Sequence, residues 1–121
     1  LGDRVGVHAG DMWHDPYPPA DLHFYADIFH DWPLAKIRTL VSKSFASLPS
    51  GGRLIAHEML YHDDLRGPAA AAGYALTMLL WTEGQQYSGA ELSALFNEVG
   101  FIDVAVVPGL GHWSLVTGCK P

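Results

Sequence analysis

The sequence predicts an α/β fold, in which a sheet with parallel strands is covered by helices. Two β-prone runs, residues 21–29 and Arg53–Met59, lie on either side of a segment with helical periodicity. A strand–helix–strand unit of this kind joins two parallel strands. Two further β-prone runs, residues 102–107 and 112–118, are separated by the turn sequence Pro-Gly-Leu-Gly. Their spacing predicts that the chain closes with an antiparallel hairpin.

The amino-terminal part of the chain predicts one more strand, followed by irregular structure. Residues 5–8 are β-prone and end at a loop sequence, Ala-Gly-Asp-Met, at residues 9–12. Pro16, Pro18 and Pro19 then exclude a regular helix before residue 21.

Three helices are predicted between the strands. The first begins at Pro33, and its apolar residues recur at three- and four-residue steps to residue 48. The second spans residues 68–82 and is apolar nearly all round, which predicts that it is buried. The third begins at a capping box formed by Ser88 and Glu91 and ends at Gly100.

Composition bounds the class of protein. The 121 residues suffice for one domain, and the net charge of −6 argues against nucleic acid as a partner. Cys119 is the single cysteine, so a disulfide framework is excluded and a cytoplasmic location is expected. The longest apolar run is well short of the ~20 residues of a membrane helix. Because the chain begins at Leu1 and not at Met, it is interpreted as a piece of a longer protein.

Three ionisable side chains follow predicted strands at corresponding ends. Asp11 follows the first, His30 the second, and Glu58 lies at the end of the third. In an open parallel sheet, ligands bind beyond the carboxyl ends of the strands. The three residues are therefore candidates for one site, with three solvated loop residues as the alternative.

Six short motifs occur in the order found in S-adenosylmethionine-dependent O-methyltransferases. They are Gly10-Asp11-Met12, His30-Asp31-Trp32, Gly51-Gly52-Arg53-Leu54-Ile55, His57-Glu58, Gln86-Tyr87-Ser88 and Glu98-Val99-Gly100-Phe101. The chain resembles the carboxyl-terminal part of the plant and bacterial small-molecule branch, which includes enzymes similar to caffeic acid, hydroxyneurosporene and acetylserotonin O-methyltransferases. The resemblance implies the carboxyl-terminal portion of a Rossmann-like class I methyltransferase sheet. Residues 1–121 would form the carboxyl-terminal part of the catalytic domain, without its glycine-rich cofactor loop or the helical amino-terminal dimerisation domain.

The resemblance also implies a reaction and its residues. The expected activity is methyl transfer from S-adenosylmethionine to a hydroxyl of a small, aromatic molecule, with His30 as general base. Glu58 would orient His30. Gln86 stands where plant members have a second acidic residue, and it would hold the His30 ring through a neutral hydrogen bond instead. Asp11 and Met12 resemble the family's adenine contacts. The 121 residues alone are expected to be inactive, and the full-length parent is expected to be a homodimer.

Four bulky residues are weaker candidates for the acceptor pocket: Phe29, Trp32, Met78 and Trp81. Each is explained equally well as a core residue. Asp31, next to His30, is interpreted as the amino-terminal cap of the following helix.

Two other functions stay open, and one structural consequence follows. The chain could be a non-catalytic remnant that serves as an interaction module, or a metal-dependent hydrolase that uses His57, Glu58 and His62. The histidines are five residues apart and His57 lies in a strand, unlike the helical pair of a zinc protease, so no metal is expected. Without the missing strands, residues 5–8 should be displaced, disordered or paired with another chain.

Overall fold

A computed structural model describes residues 2–121, which form a four-stranded sheet in the order β1-β2-β4-β3. The strands are β1 (Leu22–Ala26), β2 (Arg53–Met59), β3 (Ile102–Pro108) and β4 (Trp113–Cys119). Strands β1 and β2 are parallel, whereas β4 is antiparallel to both β2 and β3. The predicted parallel pair and the terminal hairpin are confirmed.

The three predicted helices are present as α1 (Leu34–Ser47), α2 (Ala69–Trp81) and α3 (Gly89–Val99). Helices α1 and α2 each begin one residue later than predicted, because Pro33 and Pro68 are the extended residues that precede them. The capping box is confirmed, with the Ser88 side chain accepting from the backbone N–H of Glu91. No helix within residues 2–121 combines the length and hydropathy needed to cross a membrane.

One face of the sheet carries the core. Along β2, the buried side chains alternate with the more exposed ones, so Leu54, Ala56 and Glu58 share the buried face. Helices α1 and α3 cover this face through apolar residues that include Ile37, Leu40, Val41, Leu92, Leu95 and Phe96. On the opposite face, Phe24 of β1 is 56% exposed. Glu58 is thus a carboxylate on the apolar side of the sheet, where it requires partners.

The prediction that α2 is buried is wrong. Only Ala71 and Met78 are buried in this helix, whereas Leu76, Leu79, Leu80 and Trp81 are between 65% and 81% exposed. An apolar sequence predicts burial only if another element covers the helix. Within the described chain, α2 packs against the domain through one narrow face, and its exposed side chains form a contiguous apolar surface.

The strand predicted at residues 5–8 does not form. These residues lie outside the sheet and are exposed, with Val7 at 98%. The chain contains four strands between residues 2 and 121 and no complete seven-stranded sheet, so the expected displacement of residues 5–8 is confirmed. The strand predicted at 21–29 also ends early, at Ala26, because the backbone then turns into the 3₁₀ helix Phe29–Asp31.

Candidate active site

The site begins at the sharp turn after β1. Asp27 has a left-handed backbone with φ of 56°, and the chain then enters the 3₁₀ helix Phe29–Asp31. The backbone N–H groups of Ile28 and Phe29 both donate to Oε1 of Glu58, at 3.1 and 2.8 Å. One carboxylate oxygen from β2 therefore satisfies two backbone donors at the start of this turn and fixes its position.

The second oxygen of Glu58 holds the imidazole of His30. Oε2 lies 2.5 Å from Nδ1, and both residues are buried, at 2% and 4% exposure. Because a carboxylate only accepts, Nδ1 is the donor and carries hydrogen. Nε2 is then the ring nitrogen that can take a proton, and it makes no hydrogen bond within residues 2–121. The structure thus brings His30 and Glu58 together, and their catalytic roles stay a prediction.

The charges around His30 favour its protonated form. Burial on its own would lower the pKa of His30, but the hydrogen bond and charge of Glu58, together with Asp31 and Asp27, raise it above the ordinary value of 6.5. Asp31 Oδ1 lies 3.6 Å from Nε2. The interpretation of Asp31 as a helix cap is wrong, because Pro33 precedes α1 and Asp31 belongs to the 3₁₀ helix.

A third carboxylate, Asp27, was missed by the sequence analysis. Its Oδ1 is buried and has no hydrogen-bond partner among residues 2–121. One oxygen of Asp27, one ring nitrogen of His30 and one oxygen of Glu58 lie within 4.8 Å of one another. Burial and then the charge of Glu58 raise the pKa of Asp27, whereas His30 lowers it. The signal available in the sequence was an acidic residue at the end of a strand, three residues before the candidate base.

The proposed metal-ligand set of a hydrolase does not assemble. His57 and Glu58 are adjacent on β2, so their side chains lie on opposite faces of the sheet. His57 instead stacks on the ring of Trp113, with centroids 5.1 Å apart.

Gln86 does not contact His30 through a hydrogen bond. Its amide nitrogen donates to the carbonyl oxygen of Met59 at 2.9 Å, and its Oε1 is buried without a partner. Since Met59 follows Glu58 on β2, Gln86 braces the end of this strand. The predicted hydrogen bond from Gln86 to His30 is therefore wrong.

One aromatic side chain packs against the imidazole. The Tyr74 ring of α2 lies edge-to-face with His30 at 5.2 Å between centroids, and 6.1 Å from Trp113. Sequence analysis missed Tyr74, which was hidden in an apolar helix. A neighbouring cleft of about 430 Å³ is lined by Asp31, Trp32, Leu80, Trp81, Thr82 and Glu83.

The four weaker pocket candidates separate into two kinds. Trp32 and Trp81 line the cleft, and their contact with an acceptor stays a prediction. Phe29 is fully buried in the core, where it packs against Phe96, and Met78 is 5% exposed. Phe29 is therefore a core residue, as its alternative interpretation stated.

Asp11 and Met12 lie in a separate loop that is tied to α1. The Asp11 carboxylate accepts from the backbone N–H of Trp13 at 2.7 Å and contacts Nδ1 of His14 at 2.8 Å. His14 first, and Trp13 second, lower the pKa of Asp11. Lys43 donates to the carbonyl oxygens of Met12 and Asp15, at 2.5 and 2.9 Å. The loop is thus positioned from α1, and the adenine contacts stay a prediction.

The fold and the buried histidine–carboxylate pair define the class of protein. The family profile described as an O-methyltransferase domain matches residues 1–102, and the chain belongs to that family.

Individual relatives agree with this assignment. The chain is 38% identical over 102 residues to acetylserotonin O-methyltransferase of Bos taurus. The match covers 84% of this chain and 30% of the relative. The chain is 34% identical over 105 residues to 3-hydroxy-5-methyl-1-naphthoate 3-O-methyltransferase of Streptomyces sahachiroi, covering 86% of the chain and 30% of that protein. The chain thus spans about a third of the length of these relatives.

Solved structures share the fold. An O-methyltransferase family 2 protein from Planctomyces limnophilus, in complex with apigenin, superimposes with a TM-score of 0.94 at 39% identity, covering 98% of this chain and 36% of that one. Human N-acetylserotonin methyltransferase, in complex with SAM, gives a TM-score of 0.90 at 31% identity, covering 93% and 33%. These matches confirm the predicted portion of a class I methyltransferase sheet.

Proposed function

We propose that the chain is the carboxyl-terminal, acceptor-side part of an S-adenosylmethionine-dependent O-methyltransferase, and that it acts on a hydroxyl of a small aromatic molecule. The observation that carries the proposal is the buried His30–Glu58 pair at the carboxyl ends of β1 and β2. Relatives support the substrate class, because those named above act on acetylserotonin and a hydroxynaphthoate. Methyl transfer by the full-length parent, assayed with S-adenosylmethionine and a panel of phenols, tests it.

His30 supplies the base for this reaction. A phenol titrates near a pKa of about 10 and is protonated at neutral pH. As the acceptor oxygen forms its bond to the methyl group, Nε2 takes the phenolic proton. Glu58 holds the Nδ1 hydrogen, fixes the tautomer and stabilises the imidazolium that results. S-adenosylmethionine, when bound, supplies the electrophilic methyl group. The Tyr74 ring beside His30 restricts the acceptor's orientation.

The raised pKa of His30 predicts the pH dependence. Below its folded pKa, the imidazole is protonated and cannot accept, so the rate of methyl transfer should rise as pH passes through a value above 6.5. The measurement is kcat/KM of the full-length parent between pH 5.5 and 9. The residual rate of His30→Gln should lack the inflection at the His30 pKa and should instead rise steadily with ionisation of the phenol, toward a pKa of about 10. A parental profile that is flat across the range contradicts the assignment.

Asp11 and Met12 are proposed to hold the adenine ring. The exposed Asp11 carboxylate has acceptor capacity beyond its bonds to Trp13 and His14, and the half-buried Met12 thioether can pack on a ring. These groups fit an exocyclic amine and a flat apolar surface.

Replacing Asp11 by Ala should weaken S-adenosylmethionine binding by the full-length parent about ten- to a hundred-fold, because an adenine amine loses its acceptor. Calorimetry measures the affinity. Asp21→Ala is the matched control, since Asp21 is equally exposed and makes no side-chain hydrogen bond within the described chain. An unchanged affinity in Asp11→Ala removes this residue from the cofactor site.

A second candidate function is an interaction module without catalysis. The exposed apolar side chains of α2, Leu76, Leu79, Leu80 and Trp81, favour it, because a contiguous apolar patch marks an interaction surface. The resemblance further implies a homodimer for the parent, which sedimentation of the full-length protein tests. The single cysteine, Cys119, favours a cytoplasmic location. Calorimetry with S-adenosylmethionine separates the two functions, since a non-catalytic module would bind none.

A further inference from the structure

We propose that Asp27 is a positioning residue that supplies His30 with a further carboxylate, beyond those of Glu58 and Asp31, in place of the acidic residue for which this chain has Gln86. The inference rests on the proposed function of His30 as the base. It starts from geometry: Asp27 directly follows β1, and one of its oxygens lies within 4.8 Å of both a His30 ring nitrogen and a Glu58 oxygen.

No hydrogen bond within residues 2–121 gives the Asp27 carboxylate a structural role. An aspartate at a turn ordinarily accepts from a nearby backbone N–H. The Asp27 carboxylate makes no hydrogen bond within residues 2–121, and its Oδ1 is buried. The turn is held by Glu58 instead, through Ile28 and Phe29. A buried, unpartnered carboxylate oxygen is costly, so its retention next to a titrating imidazole indicates an electrostatic use.

Gln86 does not perform this role. Its amide nitrogen is committed to the Met59 carbonyl, and a neutral amide would stabilise an imidazolium less than a carboxylate does. The position that carries the family's second acidic residue is therefore neutral here, and the additional negative charge comes from the end of β1.

The groups that face the imidazole come from four parts of the chain. Glu58 belongs to β2, Asp31 to the 3₁₀ helix and Tyr74 to α2, while Asp27 directly follows β1. His57 of β2 lies on the opposite face of the sheet. No lysine or arginine contributes to the shift in the pKa of His30. When His30 takes a proton, the positive charge thus forms among three carboxylates. Within residues 2–121, Asp27 is the one of the three with a buried oxygen that has no hydrogen-bond partner.

The test is the pKa of His30, followed by NMR of its imidazole in the 121-residue chain. Asp27→Asn should lower this pKa by about 1, because an opposite charge within 4–6 Å has been removed. Asn tolerates the left-handed backbone, and Asp27→Gly is a second variant that removes the carboxylate and relaxes φ. Asp21→Asn, at the other end of β1, should leave the pKa unchanged, and so should Gln86→Met.

Two outcomes would overturn the proposal: a His30 pKa that is unchanged in both Asp27 variants, or one that falls in Gln86→Met and not in Asp27→Asn. A second readout is the pH profile of kcat/KM in the full-length parent, whose acidic limb should move to lower pH by the same amount in Asp27→Asn. If the NMR shift occurs without any methyl transfer by the parent, the proposed function fails and the electrostatic coupling stands. Zinc added to the chain should leave the His30 resonances unchanged; their loss would assign the three groups to a metal site instead.

Discussion

Replacing His30 by Ala or Gln in the full-length parent should lower kcat for methyl transfer about 10²- to 10⁴-fold, while acceptor binding is largely retained. The expected loss is that of a positioned general base. The acceptor hydroxyl must then attack while still protonated, or wait for its rare ionised form. Single-turnover rates with a phenolic acceptor measure the chemical step directly and separate it from product release.

The pH dependence makes this experiment specific to the base. A phenol ionises without help as pH approaches about 10, so the rate deficit of His30→Gln should shrink between pH 6 and 9. His112→Gln is the matched control, because His112 is an exposed histidine in the turn between β3 and β4. If both His30 variants methylate at the parental rate across this range, His30 is not the base.

Local sequence signals predicted the elements of the fold because each element carries its own. The bounds of β2, Arg53–Met59, are as predicted, since two glycines precede it and a polar loop follows. The Ser88 capping box fixed the start of α3 in the same way. The burial of α2 could not be predicted in this way. Its apolar composition indicates that the helix favours burial, but it does not identify the element that would cover it.

The sequence predicted which residues form the central pair of the site, but not how the surrounding side chains contact them. His30 and Glu58 follow from the positions of strand ends, and the register Ala26↔His57 brings those ends together. Asp27 could not be identified from its spacing. Its position near His30 depends on the left-handed backbone of Asp27 itself and on the 3₁₀ helix that follows, and neither was predicted. Gln86 was misplaced because its hydrogen bond to Met59 depends on how the loop before α3 meets the end of β2.

Glu58→Ala should lower the free energy of unfolding of the 121-residue chain by about 3–5 kcal/mol. The substitution leaves two buried backbone N–H groups, of Ile28 and Phe29, and the Nδ1 hydrogen of His30 without their acceptor. Unsatisfied buried donors are expensive because water cannot replace the lost oxygen. Urea denaturation followed by tryptophan fluorescence measures the change, with Trp32 beside the turn as a reporter.

Two comparisons identify the cause of that loss. Glu98→Ala removes an exposed ion pair to Arg38 and should change stability little, since solvent screens such pairs. Glu58→Gln keeps one carbonyl oxygen for the backbone donors and should recover part of the loss.

The stabilising effect of Glu58 should also depend on pH. Glu58 raises the pKa of folded His30, so the ion-pair contribution is fully present below the unfolded pKa of about 6.5 and is lost as pH rises through the folded value. Glu58→Ala should therefore cost more at pH 5.5 than at pH 8.5. The cost remaining at pH 8.5 measures the backbone donors of the turn. An equal cost at both pH values would mean that Glu58 holds the turn but does not stabilise the imidazolium, which would remove its electrostatic part in the proposed mechanism.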